Sequence, residues 1–327
     1  MAVYTHLGAE QLAELIGEFD VGQLVSAKGI AEGVSNSNWL IDTTGADGAG
    51  ARFILTMYEF RIEIEDLPFF LSLLDYLADQ GCPVPRTIHD RQGRLFRLLG
   101  DKAIALIEFL PGVSVSEPTP GQAHAVGRAL AQLHLTSAGF GQSRANGMGT
   151  AEWQRLAQEC TPEGLAAIDP DFAAQVAREL PQLVAEWPEH LPHSVIHADL
   201  FPDNVFFAED RVTGIIDFYF ACNDLLAYDV AICLNAWCFE PDGSFNVTKA
   251  RLMLASYRAT RPLSREEIAV LPLFARGSAL RFALTRLYDW LNHPPGAFVT
   301  PKDPKEYLRK MRFHAGVAGP SAYGIDP

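Results

Sequence analysis

Cysteine is scarce in this sequence, and its spacing fits no common metal or redox motif. Five of the 327 residues are cysteine, none of them in a CxxC pair. An odd number of cysteines without closely spaced pairs excludes a fold held together by disulfides and a zinc ribbon. Reduced thiols, as in a cytoplasmic protein, are therefore expected.

Long apolar runs and an excess of positive charge are also missing. The longest apolar run, 230–239, contains Asn235 and falls short of the roughly 18 residues that a membrane span needs. The first residues lack the basic start and apolar core of a secretory signal. Lysine and arginine number 26 against 40 acidic residues, a formal charge of −14. Such a chain is a poor partner for nucleic acid or an anionic membrane, so we predict a cytoplasmic protein that binds neither.

The composition, 48% hydrophobic, is that of a globular protein. Short alternating runs dominate the first third, and a proline- and glycine-rich stretch separates them from a mostly helical remainder. The pattern predicts an α+β fold in two lobes, with an antiparallel sheet plus a helix in the first and mainly helices in the second. The expected parts are an N-terminal lobe (1–110), a linker (111–120), a larger C-terminal lobe (121–315) and a mobile tail (316–327).

Residues 195–218, VIHADLFPDNVFF and then GIIDF, carry the most informative polar pattern of the sequence. Asp199 is followed five positions later by Asn204, and Asp217 ends the next apolar strand. This arrangement is typical of phosphoryl transfer. One carboxylate accepts the proton of an attacking hydroxyl, while the amide and the second carboxylate supply the hard oxygen ligands that Mg²⁺ prefers.

The segments HADLFPDN and IIDF resemble the catalytic signature of the aminoglycoside-phosphotransferase and choline-kinase branch of the protein-kinase-like fold. The resemblance implies that Asp199 is the base or orients the hydroxyl, and that His197 holds the catalytic loop. It implies Asn204 and Asp217 as Mg²⁺ ligands and Asp229 as a brace of the loop.

The same resemblance implies that the N-terminal lobe binds ATP. The polar stretch 29–39 occupies the place of a phosphate-covering loop, and residues 108–110 the place of the segment that faces adenine. An ordinary hairpin tip and an ordinary strand before a proline turn predict the same residues, so both interpretations stay open here. The expected nucleotide contacts are Gly33, Ser35, Asn36, Ser37, Glu108, Phe109 and Leu110.

One position departs from the family pattern. Thr56 stands where a strand lysine normally pairs the phosphates, and no lysine occurs between Lys28 and Lys102. Neutralisation of the phosphates is therefore expected from Arg52, Arg61 or metal ions. A non-catalytic ATP-binding regulator is the alternative that this departure raises.

Stretches from about residue 30 to 312 are most similar to the members of this family that phosphorylate homoserine. The resemblance implies L-homoserine as the small-molecule acceptor, with an aminoglycoside, choline or another amino alcohol as the alternative. Arg281, which has apolar neighbours, is predicted to clamp the acceptor carboxylate, and Asp224 to meet its ammonium. An internal ion pair with Asp289 or Asp229 is the competing interpretation of Arg281.

Overall fold

The computed structural model describes residues 5, 7–30, 36–45, 47–59, 62–293 and 301–326. The chain folds as two compact units, Met1–Pro111 and Gly112–Pro327. The division falls where the proline- and glycine-rich linker was predicted to begin.

The first unit is built on an antiparallel sheet. Its strands are β1 (Gln23–Ile30), β2 (Asn36–Thr44), β3 (Gly50–Tyr58), β4 (Thr87–Ile88), β5 (Arg97–Leu99) and β6 (Lys102–Glu108), and its helices are α1 (Ala9–Gly17) and α2 (Leu67–Asp79). The strand order is β1-β2-β3-β6-β4, and β5 pairs with β6. Because side chains alternate along a strand, one set of residues from the sheet packs with α1. This cluster comprises Leu12, Ile16, Phe19, Trp39, Ile41, Leu55, Met57, Ile104 and Leu106.

The second unit is mainly helical. Its helices are α3 (Pro120–Ser137), α4 (Thr150–Glu159), α5 (Pro162–Ile168), α6 (Phe172–Glu186), α7 (Leu226–Trp237), α8 (Val247–Thr260), α9 (Arg265–Ala269), α10 (Leu271–Leu291) and α11 (Pro304–Ala315). Two short antiparallel strand pairs lie between the helices. They are β7 (His193–Ile196) with β10 (Cys222–Leu225), and β8 (Val205–Ala208) with β9 (Arg211–Ile215).

Helix α3 shows how local sequence and packing cooperate in this unit. The Thr119 side chain caps the first turn by accepting a hydrogen bond from Gln122 N–H, and the Gln122 side chain accepts one from Thr119 N–H. Further along, a Cβ on Gly127 would lie 2.2 Å from the Met253 carbonyl oxygen of α8. Only glycine therefore permits this close approach of α3 to α8.

The predicted fold class is confirmed, with the antiparallel sheet in the first unit and the helices in the second. The mobile tail requires a correction, because Tyr323 is fully buried and its hydroxyl lies 2.8 Å from Nδ1 of His314. An aromatic ring that is buried and hydrogen-bonded anchors this segment to α11. Across the described ranges, no helix is long and apolar enough to cross a membrane.

Candidate active site

The β8–β9 hairpin brings together two of the predicted site residues. Val205 pairs with Ile215 across the hairpin. The neighbouring residues, Asn204 and Ile216, are joined by a hydrogen bond from Ile216 N–H to the Asn204 carbonyl at 3.0 Å. Asn204 therefore precedes β8 at the same end where Asp217 follows β9. This register explains why two residues thirteen positions apart can serve one site.

His197 joins the catalytic loop to the same hairpin end. Its Nε2 lies 3.0 Å from the Ile216 carbonyl, and its Nδ1 accepts from Asp199 N–H at 3.3 Å. Burial lowers the pKa of the imidazole, although the nearby Asp229 charge acts in the opposite direction. A neutral ring with its proton on Nε2 fits both bonds, so His197 positions Asp199 relative to Asp217.

The backbone is left-handed at two points of the site. Ala198 has φ 62° and Asp217 has φ 65°. Non-glycine residues adopt this region at a cost of about 1–3 kcal/mol, and such strain persists only where neighbours impose it. At Ala198 the neighbours are known, since Asp229 Oδ1 accepts its N–H at 3.0 Å and Arg281 Nη1 donates to its carbonyl at 2.8 Å.

Asp229 is the centre of a buried network behind the loop. Its Oδ2 accepts from His197 N–H at 2.8 Å and lies 3.1 Å from Nε2 of His134. Nδ1 of His134 in turn lies 2.7 Å from the hydroxyl of Tyr257. Burial opposes ionisation of Asp229, but the bond and charge of His134 outweigh it and the pKa is lowered. The arrangement is that of an ionised brace, the role predicted for Asp229.

Sequence reasoning missed His134 and Tyr257 as members of this network. Both are buried on helices, α3 and α8, 65 and 58 positions from Asp199 along the chain. The signal available was a histidine on the apolar stripe of α3, which more often marks an ordinary core residue.

The carboxyl groups of the site repel one another. Burial raises the pKa of Asp199 to about 7, with the charge of Asp217 as the second cause. Burial also raises the pKa of Asp217 to about 6, followed by the charge of Asp203. Asp217 is exposed at the surface, so water screens its charge. A base with a pKa near neutrality suits proton abstraction from a hydroxyl.

The donor set fits a hard divalent cation. Asn204 Nδ2 donates to the Asp199 carbonyl at 2.9 Å, which turns the amide oxygen Oδ1 to the other side. That oxygen and the Asp217 carboxylate are two candidate oxygen ligands at one end of the hairpin. Within the described ranges, no group of three His, Cys, Asp or Glu side chains is placed to hold a metal by itself. Mg²⁺ in nucleotide enzymes typically takes one or two protein oxygens and completes its shell with phosphates and water.

Arg281 requires a correction. It is 1% exposed, its Nη1 is bonded to the Ala198 carbonyl, and its guanidinium lies 4.5 Å from the ring centroid of Phe282. The predicted clamp on a substrate carboxylate does not fit this position. The partner of Nη1 is this backbone oxygen and not the carboxylate of Asp289 or Asp229, which the competing interpretation predicted.

Asp224 lies on β10 and already has partners for both oxygens. Oδ2 accepts from Asn146 Nδ2 at 2.6 Å, and Oδ1 accepts from Leu225 N–H at 2.7 Å. Its role toward a substrate ammonium stays a prediction, and the Asn146 bond competes with it.

Lys302 is a cation beside the catalytic loop that sequence reasoning did not single out. Its Nζ lies 3.1 Å from Asp203 Oδ2 and 5.4 Å from the ring centroid of Phe201. Phe201 and Asp203 both belong to the loop that carries Asp199. A lysine one hundred positions away gives no pattern in the sequence that would connect it with this loop.

Ser37, predicted to bind phosphate, requires a second correction. The Ser37 side chain is fully buried and donates to Glu59 Oε1 at 2.6 Å. By the alternation of β2, it shares a face with Trp39 and Ile41, the face that packs against α1. Asn36 points to the opposite face, where its buried Oδ1 has no hydrogen-bond partner.

The remaining predicted nucleotide contacts divide into two groups. Gly33 and Ser35 lie outside the described residues. Glu108 N–H donates to the Arg86 carbonyl at 2.9 Å, so this main-chain donor is engaged within the unit. Phe109 and Leu110 follow the end of β6 in half-buried, irregular chain.

Thr56 faces Asn38, and its hydroxyl donates to Asn38 Oδ1 at 2.8 Å. Of the cations expected to replace a lysine here, Arg61 lies outside the described residues. Arg52 pairs with Asp42 at 3.0 Å, four strand positions from Thr56. At about 3.3 Å per residue this is too far for Arg52 to occupy the place of Thr56. An uncharged polar pair stands there instead.

These features define a phosphotransferase. Residues 26–263 match the model of the phosphotransferase enzyme family, and the chain belongs to that family. Among its curated relatives, a homoserine kinase of Parvibaculum lavamentivorans is 54% identical over 326 residues, with 100% of both chains covered. A homoserine kinase of Azorhizobium caulinodans is 53% identical and covers 99% of each chain.

Solved structures agree on the fold at much lower identity. An amicoumacin kinase in complex with AMP-PNP, Ca²⁺ and its antibiotic has a TM-score of 0.70 at 15% identity, covering 94% of this chain and 92% of that one. A spectinomycin phosphotransferase with ADP and spectinomycin has a TM-score of 0.69 at 16% identity, covering 98% of each. The family predicted from HADLFPDN and IIDF is confirmed, and the chain is an enzyme that transfers phosphoryl groups to a hydroxyl.

Proposed function

We propose that the enzyme transfers the γ-phosphoryl group of ATP to the hydroxyl of L-homoserine, giving O-phospho-L-homoserine and ADP. The observation that carries the choice of acceptor is the identity above 50% over the full chain with relatives named homoserine kinase. The choice of ATP is supported by the kinase family and by the AMP-PNP in the amicoumacin kinase complex.

In the proposed reaction, the hydroxyl oxygen of the acceptor attacks the γ-phosphorus. A new P–O bond forms while the bond from that phosphorus to the β–γ bridging oxygen breaks. Asp199 accepts the hydroxyl proton, and ADP leaves with the bridging oxygen. His197, Asp229 and Arg281 keep the Asp199 main chain in place by the bonds described above, so the carboxylate meets the hydroxyl without reorganising.

Asn204 and Asp217 would hold Mg²⁺ through the amide and carboxylate oxygens. When bound, the ion neutralises the phosphates and the charge that develops during transfer. Two of the predicted nucleotide contacts in the first unit, the Ser37 side chain and the Glu108 N–H, have protein partners. Asn36, with its unpaired buried oxygen, and the main chain of Phe109 and Leu110 are the proposed contacts that the structure leaves available.

A coupled ADP-release assay with homoserine, choline and kanamycin tests the proposal, with the phosphorylated product identified by mass. We expect turnover with homoserine and a kcat/KM at least 10²-fold lower with the other two acceptors, since a site that pairs a carboxylate rejects analogues without one. Preference for choline or kanamycin would contradict the acceptor. Binding of ATP without turnover of any of the three would indicate a nucleotide-binding regulator.

A further inference from the structure

A carboxylate-bearing acceptor needs a cation in this site. The loop and the hairpin end carry three carboxyl groups, Asp199, Asp203 and Asp217, in a chain of formal charge −14. The carboxylate of a zwitterionic amino acid adds a local negative charge, and like charges within a few ångströms disfavour binding. An accessible positive group must offset this repulsion if the acceptor is an amino acid.

The basic residues of α10 and α11 nearest the site are already engaged. Arg281 is buried and bonded to the Ala198 carbonyl. Arg286 and Lys310 share Glu306, at 2.7 and 2.6 Å. The Arg286 and Lys310 side chains are 11% and 8% exposed, so turning either of them away from Glu306 would break a largely buried ion pair, which is expensive.

Lys302 is engaged only at the surface. Both it and Asp203 are 61% exposed, and a pair this exposed contributes at most about 1 kcal/mol. Its Nζ can therefore exchange Asp203 for another anion at little cost. Its position over the Phe201 ring keeps it beside the catalytic loop. The charge of Lys302 also lowers the pKa of both Asp199 and Asp217, so its field reaches the reacting end of the site.

We propose that Lys302 is the specificity-determining cation that binds the carboxylate of the amino-acid acceptor. The proposal rests on the proposed function. The carboxylate is a better partner for Lys302 than the transferring phosphate, because Asn204 and Asp217 would hold the ion that neutralises the phosphates. Lys302 thus takes the role that the sequence suggested for Arg281.

The test compares Lys302→Met, Lys302→Arg and the control Lys305→Met. Lys305 is also an exposed lysine, three positions away, and its loss changes the net charge by the same amount. For each purified variant, kcat and KM are measured with homoserine, with 3-aminopropanol, which lacks the carboxylate, and with ATP as the varied substrate.

Lys302→Met is expected to raise the KM for homoserine roughly 10- to 100-fold, the range for loss of a hydrogen bond to a charged group. The KM for ATP should stay within about twofold. The preference for homoserine over 3-aminopropanol should shrink by the same 10- to 100-fold. Lys302→Arg should retain most of the preference, and Lys305→Met all of it.

Two results would overturn the inference. Unchanged selectivity in Lys302→Met would mean that the carboxylate is bound elsewhere. An equal fall in kcat for both acceptors, or a raised KM for ATP, would place the lysine on the phosphate instead. If the unaltered enzyme turns over 3-aminopropanol or another acceptor but not homoserine, the proposed function itself has failed, and the role of Lys302 toward a carboxylate falls with it.

Discussion

Asp229 and Arg281 hold opposite sides of a single residue, Ala198. The Asp229 carboxylate accepts the Ala198 N–H at 3.0 Å, and the Arg281 guanidinium donates to the Ala198 carbonyl at 2.8 Å. Both side chains are buried, and the residue between them has φ 62°. Asp199 follows directly, so the direction of its carboxylate depends on a strained peptide that two buried charges keep in place.

Asp229→Asn should loosen this arrangement. Asp229 accepts from the N–H groups of His197 and Ala198 and also meets His134, while an amide offers one oxygen in place of two. At least one of these buried donors then faces the NH₂ group of the asparagine and loses its acceptor. We expect a loss of about 2–3 kcal/mol in the free energy of unfolding and a kcat/KM at least tenfold lower. Urea denaturation and steady-state kinetics measure both. Asp242→Asn, at an exposed carboxylate, is the matched control and should change neither quantity, and an unaltered Asp229→Asn would show that the network is dispensable.

Arg281→Met should act on turnover rather than on selectivity. The Ala198 carbonyl would lose its donor, at a cost of about 1–3 kcal/mol in stability. Because the Arg281 charge lowers the pKa of Asp199, its loss should also move the acidic limb of the pH–rate profile to higher pH. The kcat/KM values for homoserine and 3-aminopropanol should fall by similar factors. A selective rise in the KM for homoserine, with stability and the pH profile intact, would restore Arg281 as the carboxylate clamp.

The strands and the catalytic loop could be predicted because they depend on local sequence. The short alternating runs of the first third correspond to the strands of the antiparallel sheet. Asp199, Asn204 and Asp217 lie in one segment of the sequence. The proximity of Asn204 and Asp217 follows from the register of β8 and β9.

The partners of the loop could not be predicted, because they come from distant parts of the chain. His134 and Tyr257 are brought to the loop by helix packing, and Lys302 by the irregular segment before α11, and no spacing in the sequence encodes either. Ser37 shows a different difficulty. When a strand has polar residues on both faces, the sequence does not show which residues face the core. A shift of one residue moves every side chain from the face that packs on α1 to the opposite face.

Asp217 and Asn204 should differ in their effect on Mg²⁺ dependence. Asp217→Ala removes a charged ligand and should abolish Mg²⁺-dependent binding of ATP. Asn204→Ala removes a neutral ligand and the bond to the Asp199 carbonyl, so it should raise the Mg²⁺ concentration needed for half-maximal activity by roughly tenfold. Titration of Mg²⁺ at fixed ATP, with binding followed by calorimetry, measures both effects. Asp242→Ala serves as the control for charge, and identical titration curves in all variants would remove both residues from the metal site.

The pKa of Asp199, raised to about 7, should appear in both activity and stability. Activity needs the carboxylate, so kcat/KM should fall about tenfold per pH unit below 7, and bound Mg²⁺ should move this limb to lower pH. The pH dependence of stability has the opposite sign to that of activity. The folded carboxyl holds its proton more tightly than the unfolded one, whose ordinary value is 3.8. Its contribution to stability is therefore largest below pH 4 and is lost as the pH rises through 7.

The Asp199→Asn side chain cannot ionise, so this variant avoids the loss of stability that ionisation of Asp199 causes above pH 7. We expect Asp199→Asn to lower kcat by several orders of magnitude while ATP still binds. Its melting temperature should exceed that of the unaltered enzyme at pH 8, by a margin that narrows toward pH 4. Thermal denaturation of both proteins over this pH range provides the comparison. A lower melting temperature at pH 8 would mean that the charged form of Asp199 is stabilised by its surroundings, and near-normal turnover would exclude Asp199 as the base.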